Sequence, residues 1–335
     1  MGTNMKTLNL NKLTILLGLF LVSAFFTTSV SAECLKNADG HIITVLGNSD
    51  APVKDSEDSS TATDQCTDTP DEYEITFYKL GICTASTTGN DLSSCQFILD
   101  SAAGVEHIIK KDASDTMEIP NFAIEPGTYP FMVILVSSKL GIKHEMRTTN
   151  DVDGSSGDGN GGTYCWTAVA GPSSFTGEAT GLVTAHGTLT NDGVKLIDCG
   201  DAADFAAATT IFSYEVITKL SDDDDDSTDP CGTEAWLDYG DRETYAAEGA
   251  GASSGIPTIS LLTTANAFAT SCLNGHKILW TTTLTTPYIV TSESTFELKI
   301  RTTEAVSIDF SNDSTDNDIM KMGADPFKVY LTVTD

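Results

Sequence analysis

The residues of this chain best equipped for chemistry are a run of oxygen donors, a glycine-flanked serine, five histidines and eight cysteines. Asn150-Asp151-Val152-Asp153-Gly154-Ser155-Ser156-Gly157-Asp158-Gly159-Asn160 sets oxygen donors at alternate positions around glycines, an arrangement hard cations favour. Asp151, Asp153 and Asp158 are therefore the candidate metal ligands and calcium the one cofactor suggested, without the bidentate glutamate of an EF-hand. Gly251-Ala252-Ser253-Ser254-Gly255 fits G-x-S-x-G, but that pattern works as a nucleophile elbow only between a strand and a helix, with an acid and a histidine downstream. Ala- and Gly-rich chain precedes it, Ile256-Pro257 follows, and His276 is the only later histidine, so a loop is expected. His41, His107, His144, His186 and His276 stand singly, and neither H-E-x-x-H nor C-x-x-C occurs. Catalytic zinc thus has no support. Within a strand, His144 and Glu145 would point to opposite faces, and each histidine reads as a surface or a satisfied core residue. No residue is assigned a catalytic role.

The cysteines carry the clearest message. Lys6 and Lys12 precede an apolar run, Leu13 to Phe26, and Val30-Ser31-Ala32 supplies small residues before Glu33. That is the layout of a cleaved secretory signal, residues 1–32. The run is shorter than the roughly 20 apolar residues a span needs, so no membrane span is expected in the mature chain. Glu33 before Cys34 departs from a lipobox, which wants a small residue there. Cys34, Cys66, Cys83, Cys95, Cys165, Cys199, Cys231 and Cys272 all follow the signal, and an even count in an exported chain reads as disulfides. Eight cysteines allow on the order of a hundred connectivities. Pairing sequence neighbours gives Cys34 with Cys66, Cys83 with Cys95, Cys165 with Cys199 and Cys231 with Cys272. Cys83 with Cys95 closes a polar loop between two apolar stretches, worth about 3 kcal/mol of chain entropy.

Eighteen Lys and Arg face 48 Asp and Glu, a net charge of -30. So acidic a chain lacks the basic stripe that displaces phosphate counterions, which excludes nucleic acid as a partner, and it does not suit anionic lipid. It stays soluble where salt screens its self-repulsion.

Period-two patterning dominates. Glu74-Ile75-Thr76-Phe77-Tyr78-Lys79-Leu80 alternates except at Tyr78, and residues 327–334 alternate throughout. Further strands are predicted over 107–110, 116–119, 129–136, 142–147, 164–169, 193–197, 210–218, 278–284 and 295–301, with one short helix at 202–208. Short turn-rich spacing points to sandwiches rather than βαβ units. The predicted fold is all-β, with two disulfide-containing β-sandwich domains. Residues 33–65 read as an N-terminal strand and polar linker, the polar composition running from 48 to 72, and 66–220 as the first sandwich. The acidic stretch 221–230, with five consecutive aspartates at 222–226, reads as a second linker, and 231–335 as the second sandwich.

Pro126-Gly127-Thr128-Tyr129 leads into an apolar strand downstream of the strand at 73–80. This unit resembles prealbumin-like modules of secreted bacterial surface proteins, over residues 73–147. The resemblance implies a sandwich used as stalk, spacer or binding platform, with Pro126-Gly127 as the turn and Tyr129 opening a core strand. Pro130 departs from that pattern, because proline cannot donate to a central ladder. The apolar stretch 41–46 could complete its own sandwich or add to a neighbour's sheet edge, and the tethered in-chain site is favoured by effective concentration. The expected function is that of an exported, non-catalytic surface or periplasmic protein with a structural, adhesive or assembly role, its partners being itself or other surface proteins. Two other classes remain open: a secreted carbohydrate- or cation-binding module using Trp166, Trp236 or Trp280, and a secreted hydrolase using paired carboxylates.

Overall fold

Strand β4 shows how the chain builds its sheets. Tyr73, Ile75 and Phe77 are buried in the main core, and then the parity changes and Leu80 and Ile82 take their place. The ladders to both neighbouring strands shift register between Phe77 and Lys79. Tyr78 thus sits in a β-bulge, which lets the apolar residues on either side of it face one core. The interruption of alternation at Tyr78 in the sequence is this bulge.

The computed structural model describes residues 33–44, 53–54, 62–63, 65–87, 90–111, 115–117, 123–154, 161–168, 197–216, 236–238, 257–269, 275–311, 319–324 and 327–334. Its strands are β1 (Val53–Lys54), β2 (Ala62–Thr63), β3 (Gln65–Asp68), β4 (Glu72–Cys83), β5 (Cys95–Lys110), β6 (Asp115–Thr116), β7 (Gly127–Ser137), β8 (Lys139–Lys143), β9 (Glu145–Val152), β10 (Gly162–Thr167), β11 (Ile197–Gly200), β12 (Ser213–Val216), β13 (Trp236–Asp238), β14 (Pro257–Leu262), β15 (Lys277–Val290), β16 (Thr295–Arg301), β17 (Val306–Ser311), β18 (Ile319–Ala324) and β19 (Lys328–Thr334). One helix, α1 (Ala202–Ala207), follows β11. Asp201 caps it by accepting from the backbone N–H groups of Ala203 and Asp204. The fold is all-β and its strand ladders are antiparallel.

The large sheet has eight strands, in the order β12-β8-β4-β7-β15-β14-β13 with β5 on β4. Three-stranded sheets β19-β16-β6 and β18-β17-β3 contribute to the same buried cluster as its inner face. Phe327 marks the contact: its ring meets Tyr73, Phe77 and Trp280 at centroid distances of 6.1, 5.9 and 5.0 Å. A third small sheet, β11-β10-β9, carries α1 beside it. The large sheet is buried on both faces at β7. Met132, Ile134 and Val136 enter the main cluster, while Val133 and Leu135 enter a second one with Leu262 and Leu279. This accounts for the unbroken apolar run of that strand.

The observed strands differ from the expected ones in several places. Strand pairing crosses the 221–230 stretch: β7 forms a long ladder with β15, and β3 and β6 pair with β17 and β16. Residues 31–335 form one compact unit. The polar stretch 48–72 is not all linker, since β1 pairs with β2 and β3 joins β17. Polar composition hid these strands because β3 contributes only Cys66 to the hydrophobic core. The expected strand 142–147 breaks at His144, and of the one at 193–197 only Ile197, where β11 begins, lies among the described residues. Pro130 lies where the β7–β15 register shifts, between the pairs Phe131–Thr283 and Tyr129–Tyr288, and just past the last β4–β7 pair. The ladder thus spares the residue that cannot donate.

Three disulfides join Cys34 to Cys66, Cys83 to Cys95 and Cys165 to Cys199, as neighbour pairing predicts. The last two link residues directly opposite each other in adjacent strands. Cys231 and Cys272 lie outside the described residues, as do the signal segment and 251–255.

Because Phe327 fills the space between sheets, Phe327→Ala should cost about 3–5 kcal/mol. Urea unfolding of the oxidised protein should show this as a lower midpoint at an unchanged m-value.

Candidate functional site

Three separate pieces of chain converge on His144. The first is an N-terminal hairpin. Asn37 Oδ1 accepts from Asp39 N and His41 N, Gly40 takes φ +81, and Ile43 N donates to Leu35 O. An Asx turn followed by glycine makes this tight reversal from four residues, Asn37-Ala38-Asp39-Gly40. The hairpin is docked in its own chain. Ile42 is fully buried, its N–H donates to Arg147 O, and its carbonyl accepts from Thr149 N. Thr44 bonds Thr149 and Asn150, and Cys34 is tied to Cys66. This is the in-chain outcome considered for the segment 41–46, seen as far as residue 44.

The second piece is the corner between β3 and β4. Asp68, buried at the end of β3, accepts from Lys36 Nζ at 2.7 Å and from Thr69 N. Asp71, just before β4, accepts from Glu145 N at 2.8 Å. The third is the break between β8 and β9, where His144 N donates to Thr167 Oγ1 rather than to a strand partner. The imidazole is 1% exposed. Nδ1 lies 3.2 Å from Asp71 Oδ2 and Nε2 lies 3.4 Å from Asp68 Oδ2, the latter an ion-pair contact without hydrogen-bond geometry.

A carboxylate on each side of the ring favours the doubly protonated imidazolium. Burial by itself pushes the His144 pKa down, but the close carboxylates of Asp68 and Asp71 outweigh it and hold the value above 6.5. Burial likewise works to raise both aspartates, and the imidazolium, with Lys36 on Asp68 and Glu145 N and Lys111 on Asp71, overrides it and keeps both low. The cluster is a set of paired charges clamping hairpin, corner and strand break together. Nδ1 is engaged by Asp71, and the carboxylates of the cluster are held ionised, unlike the raised acid of a glycosidase.

Among the other carboxyls, Glu74 is pushed up, mainly by burial and further by the charge of Glu106, although Tyr214 donates to it at 3.1 Å. Tyr214 is itself raised to about 12 by burial and by these glutamates. Glu74 lines neither of the two cavities beside the cluster. One of these, about 310 Å³, has His144 and Asp68 in its wall together with Lys36, Lys111, Arg147 and Tyr164. The other, about 290 Å³, is lined by Asp71, Glu72, Lys143, Glu145 and Thr210.

The residues singled out from sequence alone are not gathered here. Asp151 is exposed on β9, Asp153 is buried just beyond it, and Asp158 lies outside the described residues. Among the described residues no group of three or more His, Cys, Asp or Glu is placed to hold a metal. Trp166 and Trp280 are buried, against Phe205 and Phe327 respectively, so neither is an exposed stacking platform. His144 is buried and Glu145 exposed, with the strand broken between β8 and β9 at His144. Asp68, Asp71 and Lys36 escaped notice because only the fold brings them to His144. The signal present was Asp68-Thr69-Pro70-Asp71, two acids bracketing a turn just before a strand. Comparison with protein families, curated proteins and solved structures finds no match to this chain.

The cluster fixes the pH dependence of stability. A histidine raised above its unfolded value of 6.5 contributes fully below that pH, and its contribution is lost as pH rises through the folded value. Aspartates held below 3.8 contribute above that pH, and their contribution is lost as pH falls through the lowered values. Stability should therefore peak between about pH 4 and 6.5 and fall on both sides. His144→Ala, which strands two buried or half-buried carboxylates, should cost about 3–5 kcal/mol, and urea midpoints across pH should show the alkaline fall gone from the variant.

Proposed function

We propose that this chain is an exported β-protein of the cell surface or periplasm with a structural, adhesive or assembly role rather than a catalytic one. The observation that carries the reading is the set of three disulfides, one of which anchors the N-terminal hairpin directly after the expected cleavage site. Such bonds persist in oxidising compartments, and for loops of 12 to 34 residues each adds roughly 3–4 kcal/mol by the chain-entropy model.

The best-formed polar constellation is a set of paired charges, which suits a clamp. The resemblance of residues 73–147 to prealbumin-like modules points to the same role, and that segment supplies β4, β5, β7 and β8, the middle of the large sheet. The acidic surface fits a protein that stays hydrated outside the cytoplasm.

Expressed with its full leader in a secreting host, the protein should appear outside the cytoplasm with Glu33 as its first residue. All cysteines should resist alkylation until reduced, as read by intact mass and N-terminal sequencing. Retention in the cytoplasm with Met1 in place and free thiols would contradict the reading.

A further inference from the structure

Arg147 has no carboxylate partner among the described residues, although the chain holds 48 acids. Its guanidinium lies over the Tyr164 ring, 4.2 Å from the centroid, and that ring also stacks with Phe205 at 5.4 Å. All three residues line the cavity of about 310 Å³ beside the hairpin. A guanidinium placed over an aromatic ring still has its planar fork of donors, which takes a carboxylate through two parallel hydrogen bonds.

The charges around the cavity leave Arg147 available. Asp68 is occupied by Lys36 and His144. Glu145 accepts from the Thr210 hydroxyl, which lines the neighbouring hollow. Lys111, 3.7 Å from Asp71, brings a second cation to the wall. Asp39 and His41, on the turn of the hairpin, also line the cavity with polar side chains. A volume near the lower end of ligand pockets, about 300–1,000 Å³, suits one small polar ring. An aromatic ledge, polar groups and one unpaired guanidinium together are the means of recognising a hydroxylated ring that carries a carboxylate.

We propose that this cavity binds a sugar acid, with Arg147 taking the carboxylate, Tyr164 and Phe205 forming the apolar wall, and Asp39 and His41 meeting hydroxyls. The proposal goes beyond the export and structural role inferred above and fails independently of it, since one is tested by location and the other by binding.

Calorimetric titration of the purified oxidised protein with sodium galacturonate, galactose and sodium sulfate decides it. Galacturonate should bind saturably and galactose should not. Arg147→Gln should weaken galacturonate about 10- to 100-fold, the loss of one charged bidentate contact. Arg301→Gln, which removes a guanidinium stacked on Tyr330 outside the cavity, should leave binding unchanged. Arg147 is exposed, so the variant should keep the parent's unfolding midpoint, which is measured alongside. The proposal is overturned if galacturonate binds more weakly than about 1 mM, if galactose binds equally, if sulfate binds as tightly with the same dependence on Arg147, or if Arg147→Gln has no effect.

Discussion

The ladder between β7 and β15 is the constraint on which the rest of the structure depends. It runs from Ser137–Lys277 to Gly127–Val290 and joins strands about 150 residues apart, so the loop-closure cost is met once, by strands whose facing parts, 132–136 and 278–280, are buried on both faces. With β7 fixed between β4 and β15, its alternate side chains supply two hydrophobic clusters. The small sheets can then cover the inner face through Phe327, and β8 continues the line of β7 past Ser138. Ser138 ties that corner down, its N–H donating to His276 O and its hydroxyl to Gly275 O.

The charged cluster follows from that placement. β8 ends at Lys143 because β9 leaves to form another sheet, and the residue at the junction, His144, is carried into the interior. A buried imidazole there would be costly alone, and Asp68 and Asp71 make it favourable in its charged form. Removing one member strands the others, so the cluster specifies the docking of the hairpin as much as it stabilises it. One side of the clamp faces the cavity in which Arg147 is left unpaired, so the same hairpin that is clamped also supplies the rim of the proposed ligand site.

What could be read in the sequence was local. The interruption at Tyr78 marked a bulge, Pro130 marked a break in a ladder, and three cysteine pairings followed from short separation. Strand 295–301 was legible because its alternation is unbroken. The shared sheet was not legible, because antiparallel pairing between distant strands leaves no periodic signal, and a run of aspartates looks the same whether it separates domains or joins strands of one sheet. The cluster was hidden for a related reason. His144 carries no motif, and its partners lie more than 70 residues earlier in the chain. The calcium candidates drew attention through composition, which records which donors exist but not whether a fold converges them.

The most direct measurement is scanning calorimetry of the oxidised protein, comparing calorimetric with van't Hoff enthalpy. If β7 and β15 bind the chain into one unit, a single transition with equal enthalpies is predicted. Two separable transitions, or a calorimetric enthalpy well above the van't Hoff value, would contradict the account.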